Sequence, residues 1–288
     1  MSIIHFQFIA ICLIFAIMNW ERLNKLVKEF NALGLNKVLD FDLFNRIAIV
    51  HHSSAMEGST LTLEETTLLI NEGITAKGKP MAEHQMITDH YTTLLFVLEK
   101  AKNKMPITSD FLRQINAMVN KSTGQVRNTA LGICDDTKGD FRLGNVTAGA
   151  TYFVNYDKVP PMVNELCSAL SQRDSFVQTK IDTVKRNIDE VYQFSFDAHF
   201  YLVTIHPWFD GNGRTSRLLM NYIQAYHQQP LSLIFIEDKA AYIKSLIDTR
   251  EKNELDIFRN FMCSQHIKYL EKEIEKYNQR NRGISFVF

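Results

Sequence analysis

Residues 206–217 read His-Pro-Trp-Phe-Asp-Gly-Asn-Gly-Arg-Thr-Ser-Arg and gather, within one short stretch, side chains suited to handling a phosphate. His206 offers a base whose ordinary pKa lies near working pH. Asp210 offers a hard oxygen ligand of the kind that Mg²⁺-phosphate sites use. Gly211 and Gly213 permit positive φ and close backbone approach to a ligand. The stretch lies between two apolar helical segments, Phe-Tyr-Leu-Val-Thr-Ile before it and Leu-Leu-Met-Asn-Tyr-Ile after it. A new helix therefore opens at the glycines, and its unpaired N–H groups face the loop and favour an anion. Arg214 and Arg217 add cationic donors three residues apart. A histidine before a proline, a Gly-x-Gly turn or a pair of helical arginines each has an ordinary structural explanation. Their coincidence in one loop points to phosphoryl or nucleotidyl transfer.

The elements that must carry this loop are helical almost throughout. Trp20, Leu23, Leu26, Val27, Phe30 and Leu33 recur at helical spacing and stop at Gly34. Phe41, Phe44, Ile47 and Val50 open a second helix that runs toward Met56. Thr62 and Glu65 have capping-box spacing, with Gly73 as the stop. A long helix follows Pro80 through Ala101, and another follows Ser109. Residues 123–158 differ: glycines punctuate β-like pieces such as Phe-Arg-Leu and Thr-Tyr-Phe-Val, which predicts a hairpin or flap. Pro160 and Pro161 open a helix through Leu170. Further helices are expected over about 181–205, from the loop to about 227, and over about 238–249 and 254–280. Neither an internal repeat nor the βαβ alternation of a doubly wound fold is present. The fold class is all-α, with a small β-hairpin flap.

The chain has 288 residues, and Lys+Arg and Asp+Glu both total 32, so the formal charge is zero. That balance argues against a nucleic-acid partner, which calls for a clustered basic excess. Cys12, Cys134, Cys167 and Cys263 show no metal-ligand or disulfide-framework spacing, which fits a reducing, cytoplasmic setting. Residues 1–19 are unusual: Ile3 to Met18 is nearly all apolar, yet short for a membrane span and without the basic start of a secretion signal. The reading adopted is a mis-called start, with translation beginning at Met18. A membrane anchor and a secretion signal are the alternatives.

The loop resembles the signature of the Fic family, H-P-F-x-D/E-G-N-G-R-x-x-R, at His206, Pro207, Asp210, Gly211, Asn212, Gly213, Arg214 and Arg217. Trp208 stands where Phe is usual, and a larger aromatic can keep the same anchoring role. The resemblance extends over about residues 40–265. It implies a Fic-type helical bundle and the transfer of AMP from ATP to a Ser, Thr or Tyr hydroxyl of a protein. On that resemblance His206 deprotonates the hydroxyl and Asp210 holds Mg²⁺. Asn212 and the backbone at Gly211 and Gly213 cradle the phosphates. Arg214 helps bind phosphate and steadies the loop, and Arg217 grips the γ-phosphate. Gly213 favours nucleotidyl transfer, because a phosphorylating relative carries Lys at that position. Tyr242 resembles a tyrosine lining the adenine pocket, with core packing as the other reading. His199 reads as a hydrogen-bonded core histidine. Asn221 reads either as an inner-face site residue or as a buried amide.

Upstream, Ser53-Ser54-Ala55-Met56-Glu57-Gly58 fits the family's inhibitory pattern, [S/T]-x-x-x-E-[G/N]. The resemblance implies that Glu57 pairs with Arg217 and displaces the γ-phosphate, while Ser53 caps or braces the helix. It also implies that residues 140–154 clamp the target by β-augmentation. The expected organisation is a 20–105 helical region with the inhibitory helix ending near Gly58, a 106–270 catalytic core and a 271–288 tail. The expected partners are ATP and a target protein, the chain itself being one candidate. A homo-oligomer is allowed. Alternatives are a Fic enzyme that uses another nucleotide or removes AMP, and a non-catalytic nucleotide-binding scaffold.

Overall fold

The computed structural model describes residues 19–35, 39–183 and 188–284. The apolar run before residue 19 lies outside the described residues. Among those described, no helix is long and apolar enough to cross a membrane. The helices are α1 (19–32), α2 (Leu39–Met56), α3 (Leu63–Glu72), α4 (Met81–Lys102), α5 (Ser109–Val119), α6 (Val159–Thr183), α7 (Ile188–Ile205), α8 (Asn212–Tyr226), α9 (Lys239–Lys252) and α10 (Leu255–Ile284). Between α5 and α6 lie two antiparallel hairpins. β1 (Val126–Thr129) pairs with β2 (Gly132–Asp135), and β3 (Thr147–Ala148) pairs with β4 (Thr151–Tyr152).

The capping box at α3 is formed in full. Glu65 N donates to Thr62 Oγ1 at 3.1 Å, and Thr62 N donates to Glu65 Oε2 at 2.8 Å. Gly73 then ends the helix in the left-handed region at φ 72°. α5 begins on the Thr108 cap, whose Oγ1 accepts from Phe111 N.

α7 and α8 form the centre, packed against α4, α5 and α10. α8 is buried nearly all round, so its polar residues need internal partners. Two of them have such partners in the core: Gln224 Nε2 donates to Ser195 Oγ and Ser232 Oγ, and Asn221 Nδ2 donates to Ser232 O. Asn221 therefore sits as a buried amide in the core.

Three segments differ from the sequence expectation. α6 runs past Leu170 to Thr183, and its Arg173 donates to Asp197 Oδ2 of α7 at 2.5 Å. α7 starts at Ile188 rather than near 181. Phe-Arg-Leu is not a strand. Its Arg142 turns inward, and its backbone N–H donates to Pro207 O rather than to a neighbouring strand.

Candidate active site

The 206–212 turn is held from both sides. His206 has φ 53°, a left-handed conformation that a non-glycine residue keeps only when its surroundings impose it. Arg142 supplies much of that constraint. Its side chain is fully buried and donates from Nε to His206 O at 2.8 Å, from Nη1 to Gly144 O at 2.9 Å and from Nη2 to Val154 O at 2.5 Å. One guanidinium therefore ties the 206–212 turn to both arms of the β3–β4 hairpin. Sequence reasoning missed Arg142. The available signal was a lone arginine inside an otherwise apolar Phe-x-Leu segment.

On the other side stands α5. Asn116 Nδ2 donates to Asp210 O at 3.0 Å and Asn120 Nδ2 at 3.3 Å. Gly211 fits between them at φ 78°, where a Cβ would meet both amides at 2.7 Å. Trp208 is buried and its indole N–H reaches Gly139 O at 3.1 Å, a bond that Phe could not make. Asn116 and Asn120 were also missed. They stand four residues apart on the apolar face of α5, which marks a buried polar pair.

Asn212 exchanges hydrogen bonds with the Trp208 backbone, accepting from its N–H at 3.0 Å and donating to its carbonyl at 2.8 Å. Its amide thus closes the turn, whereas the sequence reading had assigned it to the phosphates. Arg214 is buried and donates to Val119 O and Asn120 Oδ1, so its guanidinium braces α8 on α5 and does not line the cavity. Asp210 Oδ1 accepts from Gly211 N at 2.5 Å and lies 3.4 Å from Arg214, with half of the side chain exposed. No group of three His, Cys, Asp or Glu side chains among the described residues could hold a metal by itself. A lone exposed carboxylate fits Mg²⁺, which takes one or two protein carboxylates and fills its shell with phosphate and water.

Arg217 faces the other way. Nε donates to Ser53 Oγ at 2.7 Å, and a terminal nitrogen donates to Ser53 O at 3.0 Å and to Glu57 Oε1 at 2.5 Å. Ser53 therefore binds the arginine; it is not a helix cap. Burial pushes the Glu57 carboxyl up, but the Arg217 charge outweighs it and the net shift is downward. Glu57 follows the last residue of α2 and lies against the N-terminal turn of α8. A Cβ on Gly213 would collide with Glu57 Oε1. Lys239, at the start of α9, donates to Met56 O at 2.7 Å and grips the exposed carbonyl end of α2.

These groups open into a cavity of about 230 Å³ that Glu57, His206, Gly213, Arg217, Lys239 and Tyr242 help to line. Its other wall combines the apolar face of α9 with Phe153 and the hairpin. Phe153 stacks on His206 with ring centroids 3.9 Å apart. Burial lowers the His206 pKa to about 4, with Arg142 and Arg250 acting in the same direction, so the ring is neutral at neutral pH. Tyr242 is buried and hydrogen-bonded to His199 Nε2 at 2.9 Å, which places His199 in the core beneath the cavity. A neutral base, a helix N-terminus and a buried arginine around one cavity can bind an anion and take a proton beside it.

Residues 106–224 match the model of the Fic/DOC family. Protein adenylyltransferase Fic of Drosophila willistoni is 27% identical over 209 residues, covering 72% of this chain and 37% of that protein. Protein adenylyltransferase fic-1 of Caenorhabditis elegans is 27% identical over 233 residues, covering 79% and 40% respectively. The chain thus spans about two-fifths of the length of these curated relatives. Among solved structures, Fic-1 of C. elegans superposes with a TM-score of 0.73 at 21% identity, over 94% of this chain and 75% of that one. A Fic-domain signalling protein of Bacteroides thetaiotaomicron superposes with a TM-score of 0.70 at 21% identity, over 87% and 95%. These superpositions support the fold.

Proposed function

We propose that this chain is a self-inhibited protein adenylyltransferase that moves AMP from ATP to a Ser, Thr or Tyr hydroxyl of a protein. The observation that carries the reading is the buried Arg217–Glu57 pair at the N-terminus of α8, in the cavity that His206 also lines. In the transfer, the hydroxyl oxygen bonds to the α-phosphorus while the bond from that phosphorus to the bridging oxygen breaks. Pyrophosphate leaves, and the hydroxyl proton passes to the neutral His206 ring and then to solvent. The first N–H groups of α8 and Arg217 meet the charge on the phosphates. Asp210 would hold Mg²⁺, which when bound neutralises phosphate charge. The target would add a strand to the exposed β3–β4 edge, next to Phe153 and His206.

As it stands, Glu57 occupies the γ-phosphate's partner, so ATP binds poorly or out of line. The test is transfer from α-labelled ATP with Mg²⁺, in lysate, by wild type, Glu57→Gly, and Glu57→Gly with His206→Ala. Label should rise with Glu57→Gly and vanish with the histidine change. Equal label in wild type and Glu57→Gly would refute the brake. A second reading rests on the same carboxylate, because Glu57 opens into the cavity and could orient water for AMP removal. Loss of label from a pre-labelled target, abolished by Glu57→Gly, would favour it.

A further inference from the structure

Three cationic side chains line the cavity, and two of them have partners. Arg217 holds Glu57 and Ser53, and Lys239 holds the Met56 carbonyl. The third, Arg250 in the last turn of α9, makes no hydrogen bond or ion pair among the described residues. Its guanidinium lies over the Phe153 ring, 5.9 Å from the centroid. The same ring stacks on His206 at 3.9 Å. One aromatic side chain of the hairpin arm therefore carries both the base and the cation. A last-turn arginine complements the helix dipole, but that role would be served equally well with the side chain in solvent. Here it is half-buried beside the base, with its donors unused.

Its contact with Phe153 says which reactant it meets. The first N–H groups of α8 and Arg217 supply the partners for a triphosphate, and Glu57 holds that place in the latched state. Arg250 stands instead against the hairpin, the side from which a target segment paired with the β3–β4 edge presents its hydroxyl to His206. The target's neighbouring side chains then pass over Phe153. In an extended strand alternate residues face the same way, roughly 7 Å apart. With one residue at the base, the next on that face comes beside Phe153 and within reach of the long Arg250 side chain.

A guanidinium has only donors, in a planar fork that meets a carboxylate through two parallel hydrogen bonds. An amide in the same place offers one acceptor and leaves part of the fork unpaired. We propose that Arg250 selects the target segment by binding the carboxylate of an Asp or Glu two residues from the hydroxyl that receives AMP. The proposal rests on the reading of the cavity as an adenylyl-transfer site and concerns which protein segments it accepts. Arg250 is thus a specificity residue for the acceptor, and proton removal stays with His206.

The test incubates the full-length Glu57→Gly protein with ATP, Mg²⁺ and cell lysate, and maps the AMP-bearing hydroxyls by mass spectrometry. Asp or Glu should stand two residues from the modified hydroxyl at several times its background frequency. A synthetic peptide carrying the commonest mapped site should rise about tenfold in KM when that acid is changed to its amide, the scale of a charge-assisted contact. Adding Arg250→Gln should remove the difference between the two peptides. Adding Arg250→Glu should move the mapped sites toward Lys or Arg neighbours. Mapped sites without acidic neighbours overturn the proposal and leave adenylyl transfer standing. So does an Arg250→Gln that lowers kcat equally for both peptides, because the arginine would then serve the α-phosphate. No label from the Glu57→Gly protein would take down adenylyl transfer itself, and the proposal with it.

Discussion

Replacing Glu57 by Gly should have two opposed effects whose sizes follow from the geometry. The Arg217–Glu57 contact is 2.5 Å long, with the arginine side chain 5% exposed and the carboxylate 33% exposed. Two unit charges about 4 Å apart attract by about 4 kcal/mol at an effective dielectric of 20. Desolvation and the exposed part of the carboxylate reduce this to about 2 kcal/mol, within the range of a charge-assisted hydrogen bond. A latch of that strength leaves only about one molecule in thirty with Arg217 available, and apparent nucleotide affinity falls by the same factor. Glu57→Gly should therefore tighten binding of the preferred triphosphate about 30-fold by calorimetry. Ser53→Ala, which removes one hydrogen bond to Arg217, should tighten it about fivefold. The second effect is on stability: a buried guanidinium without its carboxylate costs about 3 kcal/mol. A triphosphate at a hundred times its Kd returns about 2.7 kcal/mol. The variant should thus melt early when empty and recover near-wild-type stability when loaded. Equal nucleotide affinity in wild type and Glu57→Gly would refute the latch, and so would a stability loss that nucleotide does not repair.

Other consequences follow from neighbouring contacts. Arg142→Met leaves three half-buried carbonyls without their donor, which should cost about 2–3 kcal/mol in urea unfolding and expose the 144–154 segment to protease. Unchanged stability would show that Arg142 does not staple the turn. Gly213→Ala places a methyl against the Glu57 carboxylate, so its effects should couple with Glu57→Gly by at least about 1 kcal/mol in a double-mutant cycle of stability. Additivity would disprove the close approach. Burial lowers His52 and His206 to about 4 and His266 to about 3. The unfolded chain, with histidine near 6.5, binds more protons over pH 4–6.5, so stability is full above that window and falls as pH drops through it. Each histidine contributes up to about 1.4 kcal/mol per pH unit there, and a urea midpoint that stays flat from pH 6.5 to 4.5 would contradict the burial.

Local signals carried the helices and the loop into view. The Thr62–Glu65 box, the Gly73 stop and the glycines of the 206–213 turn state their backbone requirements within a few residues. Ser53, Glu57 and Arg217 come together across more than a hundred and fifty residues of sequence. Their patterns were legible, although of the two roles expected for Ser53, capping or bracing its helix, the cap is not formed and the hydroxyl binds Arg217. Asn212 and Arg214 show the limit of motif reading: both stand at signature positions, yet their side chains close the turn and brace α8. Arg142, Asn116, Asn120, Lys239 and Arg250 were invisible because each acts on a carbonyl or cavity brought near only by packing. The Phe-Arg-Leu segment read as a strand because its alternation suits one, but the inward guanidinium holds it out of any ladder. α6 outran its expected end because Arg173 finds Asp197 across the bundle, a partner no local window contains.

Glu57 and Arg217 belong to one polypeptide, so on the proposed reading the brake is a tethered ligand whose local concentration is fixed by the bundle. A tethered group competes at a constant effective concentration, of the order of millimolar for a short flexible link and higher when the link is rigid. Diluting or concentrating the protein leaves that contest unchanged, because the stoichiometry of brake to site is always one to one. The free variable is the supply of the diffusing competitor. On the proposed reading, occupancy of this cavity would follow the nucleotide pool rather than the abundance of the protein, with a threshold set by how firmly two helices hold one carboxylate in place.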